Sequence, residues 1–83
     1  MSTIELRKKI ASIKQILEDA LKNAEVVVGK QRISRDEAEK MLEAFEEALR
    51  KPEDQDIEIS PDIIPTKLIA ANREFRELYA AIK

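Results

Sequence analysis

Cysteine and histidine are both absent from the 83 residues. Without a thiol there is no disulfide framework and no thiolate chemistry. Without an imidazole the chain lacks the commonest metal ligand and the side chain that titrates near neutrality. Much nucleophilic, general-base and zinc chemistry is excluded with them. Aromatic residues make up 4% and are confined to Phe45, Phe75 and Tyr79, so the core has to be built from Ile, Leu, Val and Ala, which suits helix packed on helix. Glycine occurs once, at Gly29, and proline three times, at Pro52, Pro61 and Pro65, so chain breaks are few and localised. No apolar run approaches the roughly 18 residues needed to cross a bilayer, and the amino terminus carries no signal-peptide core. The expectation is a cytoplasmic protein with no membrane partner.

What the chain has instead is charge. Asp, Glu, Lys and Arg reach 39%, with 17 acids against 15 bases, a balance that makes neither a nucleic-acid coat nor an acidic tail. A hydrophobic content of 43% at this length predicts one domain, residues 1–83, near the size at which a single core is only just sufficient. Help from a second chain is plausible on that ground.

The periodicity predicts three helices. Ser2 and Glu5 have capping-box spacing, and Leu6, Ile10, Ile13, Leu17, Ala20, Leu21, Ala24, Val27 and Val28 follow at intervals of three and four, predicting a helix over about 3–28. Ile16 widens that apolar stripe until it can touch two neighbours. The β-branched Val26–Val28 run is a poor helix ender, and a strand is conceivable there. With no visible pairing partner it reads as the last helical turn, stopped by Gly29 in the left-handed conformation. A second capping box, Ser34 with Glu37, is preceded by Ile33, placed to staple onto Ala38, and starts a helix over about 35–51. Its inner face is Ala38, Met41, Leu42, Phe45, Ala48 and Leu49. Its outer face carries the i,i+4 pairs Asp36 with Lys40, Glu46 with Arg50 and Glu47 with Lys51, and Pro52 ends it. A third helix over about 66–82 turns Leu68, Phe75, Leu78, Tyr79 and Ile82 inward, together with Ala71 and Asn72. Asn72 either fixes pairing register across a helix interface or sits at the edge.

Residues 52–65, PEDQDIEISPDIIP, form the one irregular connection. Ile57 and Ile59 alternate with Asp56, Glu58 and Ser60, which suits an extended strap laid on the helices. The fold expectation is therefore all-α: a three-helix antiparallel bundle with one long N-terminal helix and an ordered Pro/Ile-rich connector, dimeric. At about 1.5 Å per residue the first helix would be about 39 Å long against about 25 Å for the other two. Leu6 and Ile10 would then lie beyond the reach of the second helix, to be covered by the strap residues Ile57, Ile59, Ile63 and Ile64, by another subunit, or by both. Those six residues are the candidate interaction surface.

Chemistry is sparse. The stretch VVVGKQRISRDE, residues 26–37, has neither the glycines nor the Lys-Ser or Lys-Thr pair of a P-loop. Lys30, Arg32 and Arg35 nonetheless cluster beside the start of the second helix and form a candidate site for a small anionic ligand, the alternative being a solvated hairpin tip. Glu43 with Glu46 and Glu74 with Glu77 repeat a Glu-x-x-Glu spacing that can hold Mg²⁺, but the glutamate content produces about two such spacings by chance. No metal site, cofactor or catalytic residue is assigned. Bases at both ends of the first helix and an acidic second helix make duplex nucleic acid an unsuitable partner.

The layout of long helix, bend, helix, connector, helix, with LRKKI at residues 6–10, resembles the small all-helical chorismate mutases. That resemblance places Arg7 where an arginine reaches substrate and implies a dicarboxylate bound by several cations in a site shared across a dimer. Ala24 stands where a further arginine is expected, and the second helix offers Glu37 and Glu39 where another cation should be. The functional expectation is a small non-catalytic interaction module, acting as adaptor, inhibitor or assembly subunit, whose partner is itself (a homodimer) and/or another protein. The alternatives are an enzyme of the chorismate-mutase type and a binder of a small anion.

Overall fold

A computed structural model describes residues 3–52 and 54–83. Helix α1 spans Thr3–Leu21 and buries Ile10, Ile13, Leu17 and Ala20, the stripe that the three-and-four spacing marks. The Ser2 capping box falls outside the described residues. α1 ends a full seven residues short of the expected boundary. Lys22 N–H donates to Asp19 O at 3.3 Å and Asn23 N–H to Ala20 O at 3.2 Å, tightening the last turn so that the chain leaves the helix.

The valines then form a strand. β1 (Val27–Val28) pairs antiparallel with β2 (Gln31–Arg32), Val27 opposite Arg32 and Val28 opposite Gln31, and Ile33 N–H to Val26 O at 3.0 Å extends the ladder. Gly29 has φ +63° and no other described residue has positive φ. A positive first and negative second central residue is the pattern of a type II′ hairpin turn, whose twist matches that of the flanking strands. Val26, Val28 and Ile33 face the core while Val27 faces out. The expectation of a helix through residue 28 is thus corrected: β-branched side chains favour extended backbone, and the missing partner strand was the polar pair Gln31–Arg32.

α2 covers Arg35–Arg50 and starts at the expected capping box. Glu37 N–H donates to Ser34 Oγ at 3.0 Å, and Ser34 N–H donates to Glu37 Oε1 at 3.2 Å. Arg35 reaches back to the end of α1, donating to Leu21 O at 3.1 Å and Asn23 O at 2.8 Å, while Arg7 near the start of α1 donates to Pro52 O at 2.6 Å beyond the end of α2. The two helices therefore run antiparallel. With 19 and 16 residues they measure about 28 and 24 Å, so the length mismatch that would strand Ile10 disappears, and Ile10 is fully buried.

The connector turns where Gln55 N–H donates to Pro52 O at 3.0 Å, and further on it forms a 3-10 turn at Pro61–Ile63, capped where Asp62 N–H donates to Ser60 Oγ at 3.4 Å. Ile57 and Ile64 enter the core, while Ile59 and Ile63 are half-buried.

The third expected helix is two. α3 (Thr66–Ala71) and α4 (Arg73–Ile82) meet at Asn72, whose φ −134° and ψ 127° are extended. Its side-chain oxygen accepts from Glu74 N–H at 2.8 Å and Phe75 N–H at 3.3 Å, so it caps α4. The Arg76 guanidinium donates to Ile69 O and Ala70 O, each at 3.2 Å, satisfying carbonyls that the break orphans. Asparagine bonds to nearby backbone more readily than it continues a helix, and here that preference overrides the periodic pattern. Ala71, expected to face inward, is exposed as a result. α4 runs antiparallel to α1, tied by Lys9 to Glu77 at 2.5 Å and by Ser12 Oγ to Glu74 Oε2 at 3.2 Å.

Phe45 and Phe75 are fully buried with Ile10, Ile13, Leu17, Met41, Leu68 and Leu78, and no polar or charged residue is buried among the described residues. The structure is mostly helical, with one small two-stranded sheet.

A Cβ at Gly29 would sit 3.1 Å from Ala71 O as well as in a left-handed backbone, so Gly29→Ala carries both strain and a close contact. We expect Gly29→Ala to destabilise by about 1–2 kcal/mol and Asn72→Ala by about 1 kcal/mol, read as thermal midpoints lowered by about 4–8 °C per kcal/mol.

Candidate functional site

The six residues of the expected interaction surface divide into two groups. Ile10, Ile57 and Ile64 are in the core, at 0%, 9% and 4% exposure, and are not presented to a partner in this conformation. The strap folds back over the first turns of α1 and covers within the chain much of what was expected to need a second one. Leu6, Ile59 and Ile63 stay half-buried.

Those three are not scattered. Ile59 forms a ridge between two open grooves. On one side a groove of about 480 Å³ has Ala44, Ala48 and Ile63 among its lining residues. On the other a groove of about 560 Å³ has Leu6, Ala81 and Ile82 among its lining residues, with Glu58 and Ser60. The strap holds the ridge in place because Ile57 and Ile64 anchor it on either side while its acidic positions Asp56, Glu58 and Asp62 stay exposed. Around the first groove stand Glu47 and Glu58 as well as Arg50 and Lys51, so its rim carries both signs of charge. Ala81, at the end of α4, is a member of this surface that the helix periodicity did not mark, while Ile82, expected to face inward, is half-buried at its edge.

The basic tip does not gather into a site. Arg32 pairs with Glu25 at 3.0 Å, Arg35 is occupied by the two carbonyls at the end of α1, and Lys30 is exposed. At the start of α2, Glu37 takes the Ser34 backbone N–H and an ion pair from Lys67 at 3.2 Å, placing a carboxylate where an anion would dock. The Ser34 N–H first, and Lys67 second, hold the Glu37 carboxyl below its ordinary pKa of 4.5.

The Glu-x-x-Glu pairs are engaged separately. Glu77 pairs with Lys9 and with Arg73 at 2.9 Å, Glu74 accepts from Ser12, and Glu46 meets Arg50 at 3.9 Å. Among the described residues no group of three or more acidic side chains could hold a metal ion. Lys9, and after it Arg73, lower the Glu77 pKa from 4.5. Tyr79 is half-buried at the rim, with Lys83 Nζ 5.6 Å from its ring centroid.

The cations implied by the chorismate-mutase resemblance are not assembled within one chain. Arg7 is turned onto the Pro52 carbonyl, Ala24 lies beyond the end of α1, Glu37 is held in its capping box and Glu39 is exposed. Compared with protein-family models, with curated proteins and with solved structures, the chain matches none.

Because the folded-state pKa of Glu77 is lowered, the stability it contributes is present above the unfolded value and lost as pH falls through the folded one. The difference in thermal midpoint between the wild-type chain and Glu77→Gln should be full at neutral pH and close as the solution is acidified below pH 4.5. Melting curves across that range measure it, and a difference independent of pH would mean that the ion pairs with Lys9 and Arg73 contribute nothing.

Proposed function

We propose that this chain is a small non-catalytic protein-interaction module: a mostly helical domain whose contact face is the strap, used to form a homodimer and through it to serve as an adaptor or assembly subunit. The observation that carries the reading is the placement of Ile59, a half-buried aliphatic side chain shared by two open grooves that are lined by both apolar and polar residues. A ridge flanked by grooves is a shape that a second surface can interlock with, and burying it removes aliphatic area from water at about 25 cal/mol per Å². The mixed charges around the first groove favour a second copy, since an isologous contact places each patch against itself and needs both signs present. The absence of His and Cys is in keeping with a role that needs no chemistry.

Sedimentation velocity at tens of micromolar tests this directly. The wild-type chain should sediment as a dimer and Ile59→Asp as a folded monomer, with circular dichroism checking that helix content is kept. A wild-type monomer at that concentration, together with identical co-purifying proteins for the two variants, would overturn the proposal.

A further inference from the structure

We propose that Ser60 is a phosphorylation site, modified by a protein kinase that requires proline after the acceptor, and that its phosphate holds the chain in the monomeric state. The second half of this inference rests on the reading of the strap as the contact face, and the modification itself does not.

Three serines lie among the described residues, and two of them have committed hydroxyls. Ser12 donates to Glu74 Oε2 at 3.2 Å, and Ser34 Oγ is held in the capping box of α2. Ser60 is exposed. Its Oγ accepts one long bond, from Asp62 N–H at 3.4 Å, and donates its proton to none of the described residues.

The backbone there suits an enzyme cleft. Ser60 is extended, with φ −68° and ψ 127°, and the N–H groups of Ile57, Glu58, Ile59 and Ser60 donate to no other described residue. A segment in that state can be drawn against another protein without first breaking backbone bonds of its own. Pro61 follows and has no N–H, so a kinase pocket that provides no acceptor at the next position takes this serine without leaving a buried donor unpaired. Ser12 and Ser34 are followed by Ile13 and Arg35, whose N–H groups would be stranded there. In the reaction Ser60 Oγ attacks the γ-phosphorus of ATP and the bond from that phosphorus to the β,γ-bridging oxygen breaks. ADP leaves, and the hydroxyl proton passes to the kinase's carboxylate base.

Position gives the modification its consequence. Ser60 adjoins Ile59 and lines both of the grooves that Ile59 lines. Around the first groove Glu47 and Glu58 are balanced by Arg50 and Lys51, whereas Glu58 is the one charged lining residue of the second. A phosphate brings close to two further negative charges. Arg50 and Lys51 can offset them on one side of Ile59, but the second groove has no cation to do so. An isologous contact built on Ile59 also brings the Ser60 of both copies into one interface, so two phosphates and two Glu58 carboxylates would have to be desolvated together. Because the same contact covers Ser60, the kinase takes the monomer, and each modified chain is withdrawn from the dimer.

The test uses the full chain, a purified proline-directed serine/threonine kinase and MgATP. The intact mass should show one added phosphoryl group, fragment masses should place it on Ser60, and Ser60→Ala should stay unmodified. In sedimentation velocity at tens of micromolar the unmodified chain and Ser60→Ala should be dimers and the phosphorylated chain a monomer with unchanged circular dichroism. Its dimer dissociation constant should rise by about tenfold or more. The modification is overturned if the chain gains no phosphoryl group or gains it elsewhere. Control of assembly is overturned if the phosphorylated chain dimerises as tightly as the unmodified one. An unmodified chain that is already monomeric overturns the homodimer reading and the control of assembly together, while the masses alone decide the site.

Discussion

Arg35 reaches from the first turn of α2 to two carbonyls at the end of α1, those of Leu21 and Asn23, and so holds the finish of one helix against the start of the next. Both acceptors lie where a helix leaves backbone oxygens without internal partners, and a guanidinium with donors in a fixed fork suits two of them at once. With α1 closed at that point, the valines that follow are released to pair as β1. The hairpin turn then places Gly29 close enough to α3 that its missing side chain matters. From this join follow the matched lengths of α1 and α2 and the complete burial of Ile10.

The strap has the complementary role at the other end. Among its described residues no strand is formed, and two of its side chains, Ile57 and Ile64, drop into the core on either side of the 3-10 turn. Fixing the segment this way leaves Ile59, between the anchors, partly outside, where it lines two open grooves. Two strap isoleucines that join the core thereby position the face through which the chain is proposed to act.

Charge is arranged to support the helices. Glu37 serves a capping box and Lys67 together, Glu77 serves Lys9 and Arg73 together, and both carboxyls are held below their ordinary range by these contacts. The bases that sequence reading grouped as an anion site are mostly used internally, which is why a cluster in the chain did not become a cluster in space. Arg7 is likewise used internally, on the Pro52 carbonyl, while Lys8 is exposed.

The capping box at Ser34, the stop at Pro52 and the buried faces built on Phe45 and Phe75 were readable from the chain, because each depends on residues within one or two turns of one another. The absence of His and Cys chemistry was equally plain. The hairpin was not readable, because its second strand is two polar residues without pattern, and its stability comes from packing Val26, Val28 and Ile33 onto α1 and α3. The break at Asn72 was hidden because apolar spacing runs through it, and only the competition between its side chain and the helix reveals a cap. Which isoleucines are interior and which form a surface was decided by tertiary structure alone: an irregular strap has no periodicity, so its burial is set by the helices it happens to cross.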